Sequence, residues 1–319
     1  METQRPATAA EEAPEALTGP VEIVRVPTEG RNSATLDIDL LPSIEVLRRI
    51  NAEDATVPGA VAAVLPELAR AVDLGVAALQ GGGRIHYFGA GTSGRLATMD
   101  AAELPPTFGI DGDRVVAHHA GGEDALGRAV EGREDDAELG GEDAARLSAG
   151  DLAVGLTASG RTPYVAGALR RAREAGAHTV LITANPHAAL AGEADVHVGA
   201  DTGAEVIAGS TRMKAGTAQK LILNAFSTAV MVRLGHTYSN LMVGVNATNA
   251  KLRGRMVTIL SQATGLDEET CSQALARTDG DTRTALVCLL ADVDAPTAAG
   301  ALRAAGGSVR TALRDLQNS

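Results

Sequence analysis

Tryptophan is absent, and aromatic residues make up only 2% of the chain. The interior of a 319-residue protein must then be filled by Ala, Val, Leu and Ile. Cysteine is scarce too. Cys271 and Cys288 both lie near the C-terminus, outside any CxxC pair, which excludes a disulfide framework and predicts a reducing, cytoplasmic location. Positive charge is in deficit, with 28 Lys and Arg against 40 Asp and Glu and a net charge of -12. Nucleic acid is excluded as the main partner, because phosphate backbones select basic surfaces. A small phosphorylated ligand is not excluded, since loop N–H groups and helix N-termini bind phosphate locally. No apolar run reaches the roughly 18 residues of a membrane span, so no membrane partner is expected. The opening Met1–Gly19 is acidic and Ala-rich, without the basic and apolar regions of a signal peptide. HxH and HExxH are missing, and the adjacent His118 and His119 would point to opposite faces of a strand. We therefore expect no metal, and no cofactor.

Glycine is abundant, at 36 residues, which predicts many tight turns and close backbone approaches. Hydrophobic residues at 45% and charged residues at 21% are ordinary for a globular protein. The length suits one large domain plus a small one, or two domains. Residues 1–27, rich in Ala, Glu, Pro and Thr, read as a disordered tail. Ser43 is expected to cap a short helix carrying Ile44, Leu47 and Ile50. From Val57 to Leu79 the apolar positions keep helical spacing, which predicts one helix, ended by Gly81-Gly82-Gly83. Short apolar runs and helical patterns then alternate. Strands are predicted at 84–88, 114–118, 152–156, 178–183 and 195–198, and helices at 93–103, 123–147, 163–175 and 214–234. This alternation predicts an α/β fold with a doubly wound parallel sheet, flanked by helices, that binds ligands at the C-terminal ends of its strands. Beyond residue 251 the strand signals stop, and short helices are predicted over 252–263, 267–276, 281–291, 295–304 and 307–316, with Asp267 and Asp281 as caps. The expected division is a tail (1–27), an α/β domain with N-terminal helices (28–250) and a small helical bundle (251–319).

Two loops point to an anion. The first predicted strand runs into Gly89-Ala90-Gly91-Thr92-Ser93-Gly94-Arg95, where loop N–H groups and hydroxyls meet a helix start. The spacing of Gly89, Gly91 and Gly94 matches GxGxxG, but a dinucleotide site wants an acidic residue after the next strand, and His118-His119-Ala120 stands there instead. The second loop, Thr157-Ala158-Ser159-Gly160-Arg161-Thr162-Pro163, repeats the arrangement, with Pro163 suited to the first turn of a helix. Two such loops after two parallel strands predict one phosphate held between them. A third polar run, from Glu205 to Lys220, places Ser210, Arg212 and Lys214 where they could neutralise an anion or hold a sugar hydroxyl.

Glu103 precedes Leu104-Pro105-Pro106, which predicts that the helix ends there. A carboxylate at a helix C-terminus faces the negative end of the dipole, so its protonated form is favoured, as a general acid requires. Glu131, Glu134 and Glu138 are predicted to share a helical face, with Asp135 and Asp136 beside them. Spacing alone does not choose among these acids.

Together the strings FGAGTSGRL, DAAELPPTFG, AGGEDAL, AVEGREDD, ASGRTPYV, STRMKAGTAQKLILN and NLMVGVNATNAKL resemble the N-acetylmuramic acid 6-phosphate etherases, a family of sugar isomerase (SIS) domain proteins. The resemblance runs from about Thr28 to the C-terminus. It implies a carbon–oxygen lyase of amino-sugar catabolism and peptidoglycan recycling. The enzyme would cleave the D-lactyl ether at C3 by elimination and hydration, giving N-acetylglucosamine 6-phosphate and D-lactate. The family's two carboxylates fall on Glu103 and Glu134. The resemblance implies Glu103 as the acid that protonates departing lactate and then activates water, and Glu134 as the base at C2. Gly91, Thr92, Ser93, Ser159, Gly160, Thr162, Glu205, Ser210 and Lys214 fall at positions implied to bind the phosphosugar. Ala102 and Leu104 stand where the family commonly has Ser and Cys, and Thr211 where it often has Ser. The C-terminal helices resemble a ubiquitin-associated-like bundle, and a homodimer with shared sites is implied. The competing readings are an SIS-type phosphosugar isomerase and a non-catalytic sensor resembling glucokinase regulatory protein.

Overall fold

The computed structural model describes residues 26–128, 130, 132–245 and 250–318. All but the last two residues of the tail expected over 1–27 lie outside them. Three helices come first: α1 (Ser43–Asp54), α2 (Val57–Ala62) and α3 (Leu65–Gln80). Pro42, not Ser43, takes the cap position of α1, and its carbonyl accepts from the N–H groups of Glu45 and Val46. The helix expected from Val57 to Leu79 is broken after Ala62. Pro66 cannot continue an incoming helix but suits the first turn of a new one, and α3 starts around it.

The α/β core follows as β1 (Ile85–Gly89), α4 (Gly91–Phe108), β2 (Val115–His119), α5 (Asp124–Gly127), α6 (Ala137–Asp143), β3 (Leu152–Leu156), α7 (Pro163–Glu174), β4 (His178–Thr183), β5 (Val196–Gly199) and α8 (Lys214–Arg233). The five strands are all parallel, in the order β2-β1-β3-β4-β5. Alternation along each strand sorts the core into two layers. Ile85, Tyr87, Leu152, Val154, Leu156, Val180 and Ile182 face α3, α4 and α8, whereas Phe88, Ala153 and Leu181 face α7. Such a sheet is doubly wound. Its order reverses direction between β1 and β3, and there the loops at the strand C-termini part to leave a crevice.

Two corrections matter for function. Helix α4 does not stop at Glu103; it continues through Pro105 and Pro106 to Phe108. There Gly109, at φ 67°, closes it by donating its N–H to the Pro105 carbonyl. The helix predicted over 123–147 is two short helices joined by turns. Gly132 takes φ 75°, and Asp136 restarts the helix by accepting from the Leu139 N–H at 2.9 Å. Glu134 therefore lies in a turn and Glu138 in α6, while Glu131 lies outside the described residues.

A two-stranded ribbon, β6 (Thr237–Tyr238) and β7 (Leu241–Met242), leads to α9 (Ala250–Thr264), α10 (Glu268–Arg277), α11 (Thr282–Ala291), α12 (Ala295–Ala304) and α13 (Val309–Gln317). These helices share a hydrophobic cluster around Met256, Leu260, Leu286 and Ala298. Asp267 and Asp281 cap α10 and α11 as expected, and Asp294 and Ser308 do the same for α12 and α13. Among the described residues no single helix is long and apolar enough to cross a membrane.

Candidate active site

The loop after β1 packs strand against helix with no room for side chains. A Cβ on Gly94 would come within 2.5 Å of the Gly89 carbonyl oxygen and 2.4 Å of His119. Gly91, at φ 54°, faces open space. Its neighbour Ala90 offers no side-chain acceptor to the first turn of α4, so the N–H groups of Gly91, Thr92 and Ser93 stand at an uncapped helix N-terminus. Ser93 is buried, and its hydroxyl donates to Oε1 of Gln219 at 2.9 Å.

The loop after β3 sits beside it, because β1 and β3 are paired from Ile85–Leu152 to Gly89–Leu156. The Thr157 and Thr162 hydroxyls are 2.7 Å apart, and Gly160 donates its N–H to Thr157 at 3.2 Å. Gly160 adopts φ 75° against Ala188, and Asn185 Nδ2 donates to the Ser159 carbonyl at 3.1 Å. Paired strand ends thus set the loop of Gly91, Thr92 and Ser93 next to that of Ser159, Gly160 and Thr162 at the switch point. Glu134 joins them. Its carbonyl accepts from the Tyr164 N–H in the first turn of α7 at 3.0 Å, and its side chain is exposed. A cavity of about 260 Å³ there is lined by Gly91, Arg95, His119, Arg133 and Glu134. Arg95 braces the wall through the carbonyls of Leu126, Ala125 and Arg128.

The third polar run has other partners. Glu205 is fully buried, and its two carboxylate oxygens accept from the N–H groups of Lys214 and Ala215, each at 2.9 Å. The N-terminus of α8 is therefore already filled by the protein's own anion. Lys214 Nζ pairs with Glu53 of α1 at 2.7 Å, and this bond above all lowers the Glu53 carboxyl below its usual range. The segment around Thr28–Thr35 straps the run in place: Thr35 donates to the Val206 carbonyl at 2.8 Å, and Gly209 donates to that of Thr28 at 2.9 Å. Ser210 stays half-buried in the turn, and Arg212 is exposed.

Glu103 lies elsewhere. It is exposed on α4 and lines a second cavity, of about 360 Å³, with Asp100, Thr107, Lys220, Asn224 and Ser227. The floor of this cavity is polar. Asp100 accepts from the hydroxyls of Tyr87 and Ser227, each at 2.9 Å, while burial pushes its carboxyl up to about 6. Along α4, Glu103 is about 18 Å from Gly91 by helical rise. It stands inside α4 and not at the helix end, because the helix runs on to Phe108.

Sequence reading missed Asp100, Gln219, Lys220 and Asn224. One of them left a signal: Gln219 is polar at an inward position of α8, in step with Ala215, Ala218, Ile222 and Leu223.

Known proteins match this architecture. The glucokinase regulatory protein N-terminal SIS domain family matches residues 67–173, and the SIS domain family matches residues 127–229. An N-acetylmuramic acid 6-phosphate etherase of Thermobifida fusca is 79% identical over 273 residues, covering 86% of this chain and 90% of the relative. One of Pectobacterium atrosepticum is 51% identical over 288 residues, covering 90% and 95%. Another, of Mesorhizobium japonicum, is 48% identical over 290 residues, covering 90% and 94%. Identity of this extent along nearly whole chains makes the protein a member of the N-acetylmuramic acid 6-phosphate etherase family.

Proposed function

We propose that this enzyme cleaves the D-lactyl ether of N-acetylmuramate 6-phosphate in the cytoplasm, with Glu103 and Glu134 as its catalytic carboxylates, in a homodimer. The observation that carries the phosphosugar site is the pair of hydroxyl-rich loops at the β1/β3 switch point, with Glu134 between them. Gly91, Thr92, Ser93, Ser159, Gly160 and Thr162 supply N–H and hydroxyl donors to the phosphate. Glu205, Ser210 and Lys214 act at one remove, by holding the loop before α8.

The chemistry follows from the open-chain sugar. Its C1 aldehyde acidifies the C2 proton. Glu134 removes that proton, the C2–C3 double bond forms, and the C3–O bond breaks as Glu103 protonates the departing lactate oxygen. Glu103, now a carboxylate, takes a proton from water. The hydroxide adds to C3 and C2 regains a proton. Binding energy from the remote phosphate helps align these groups. Lys220 and Asn224, on the wall of the Glu103 cavity, suit the lactyl carboxylate, and no ion pair engages Lys220 among the described residues.

The separation of the two carboxylates supports a shared site. The C3 ether lies only about five bonds from the phosphorus, roughly 6–7 Å. Glu103 is too far along α4 to reach it from the same chain's loops, so we assign that role to Glu103 of the second subunit. Incubation with N-acetylmuramate 6-phosphate tests the function: D-lactate must appear in stoichiometric amount with N-acetylglucosamine 6-phosphate. Carbonyl isomerisation without lactate would favour the isomerase reading, and ligand binding without turnover the sensor.

A further inference from the structure

Gln219 is 1% exposed and touches the phosphate loop through one bond, in which its Oε1 accepts from the Ser93 hydroxyl at 2.9 Å. Its Nε2 is also buried and has no partner among the described residues. A buried amide donor without an acceptor is costly, and it calls for an explanation. The bond also aims Ser93. A serine hydroxyl has one proton, and while that proton points at Gln219 the oxygen presents only lone pairs to the loop. A phosphate monoester near neutral pH is chiefly an acceptor, so this orientation of Ser93 does not serve it.

Half a turn about the last side-chain torsion of Gln219 exchanges its oxygen and nitrogen, and that torsion is broad and roughly two-fold. Nε2 then donates to Ser93 Oγ, and the serine proton is released toward the crevice. We propose that Gln219 is a positioning residue of the phosphate site, donating to Ser93 in the loaded enzyme so that Ser93 donates to the phosphate. The proposal rests on reading Ser93 as a phosphate ligand. Gln219 itself does not touch the sugar.

A double-mutant cycle on the full-length protein tests it, with N-acetylglucosamine 6-phosphate as the titrated ligand and circular dichroism as the check on folding. Ser93→Ala should weaken binding about tenfold, the scale of one hydrogen bond to a charged group. Gln219→Met should weaken it by a similar or smaller factor, raising KM while kcat changes little. The double variant should bind no worse than Ser93→Ala. Gln219→Leu also removes the donor and adds no charge; it should lose about as much as Gln219→Met in the parent and nothing further in the Ser93→Ala background. Additive losses in the double variants, or unchanged binding in both Gln219 variants, overturn the proposal while leaving Ser93 in the site. Unchanged binding in Ser93→Ala overturns the phosphate role of Ser93, and the proposal with it.

Discussion

Two exposed glutamates carry the proposed chemistry, and neither is marked by burial. Their roles separate by what each substitution abolishes. Glu103→Gln should lower lactate release by about 10²–10⁴, the range for a general acid or base, while phosphosugar binding survives. Loss of binding instead would assign Glu103 a structural role. Glu134→Gln should abolish exchange of the C2 hydrogen with deuterated solvent; persistent exchange would move the base elsewhere. A third residue discriminates substrate from product. Lys220→Met should raise KM for N-acetylmuramate 6-phosphate about tenfold, as expected for losing a charged hydrogen bond, and leave affinity for N-acetylglucosamine 6-phosphate unchanged, because only the substrate carries the lactyl carboxylate. Equal effects on both ligands would exclude that role. At this scale sequence legibility is uneven. The placement of the loop hydroxyls was readable because a strand, a glycine-rich loop and a helix start follow one another there. For Glu205, sequence does not reveal that a carboxylate nine residues before a helix turns back to fill its N-terminus. Lys220 was hidden because an exposed lysine has no distinguishing pattern.

Strands were legible to within a residue, since apolar runs of that length between glycines leave little freedom. Helix ends were not. Two prolines inside α4 remove only two N–H groups, and their φ suits a helix, so packing of Leu104 and Phe108 into the core carries the helix past them. At the sheet edge, β1 and β2 bring together a pair no sequence pattern announced. His86 Nδ1 lies 3.0 Å from His118 Nε2, and both rings join a stack with Phe88. Burial, and then the charge of His118, lower the His86 imidazole to about 4; burial lowers His118 too. A histidine ionises near 6.5 in the unfolded chain, so between 6.5 and 4 the unfolded state binds more protons than the native one. Stability from this group is thus present above pH 6.5 and is lost as pH falls toward 4, on the order of 3 kcal/mol in all. Urea midpoints measured from pH 7 to 4 should fall more steeply for the wild type than for His86→Phe. Parallel pH profiles would show that His86 does not contribute to acid sensitivity.

The molecule as a whole is built from two α/β layers and a separate helical cluster. The join is a backbone contact: a Cβ on Gly109, where α4 ends, would lie 1.7 Å from the Gly244 carbonyl oxygen beyond the ribbon, and one on Gly235 would lie 3.0 Å from Ser308. Alternation of strands and helices gave away the architecture, but which cavities one chain can join is a matter of three-dimensional distance. Glu134 sits with the hydroxyl-rich loops, whereas Glu103 is about 18 Å down α4. A shared site then makes a numerical prediction. If each site takes its loops and Glu134 from one subunit and Glu103 from the other, Glu103→Gln and Glu134→Gln homodimers are both inactive for different reasons. Mixing the two chains in equal amounts under conditions that allow subunit exchange makes half the dimers heterodimers. Each heterodimer has one site carrying both substitutions and one carrying neither, so activity should recover to about a quarter of the wild-type value. If each site is instead built within one chain, every site in the mixture carries one substitution and no activity returns. Failure to recover, with exchange verified by mass spectrometry of differently tagged chains, would place Glu103 outside the partner's site and require another acid near the loops.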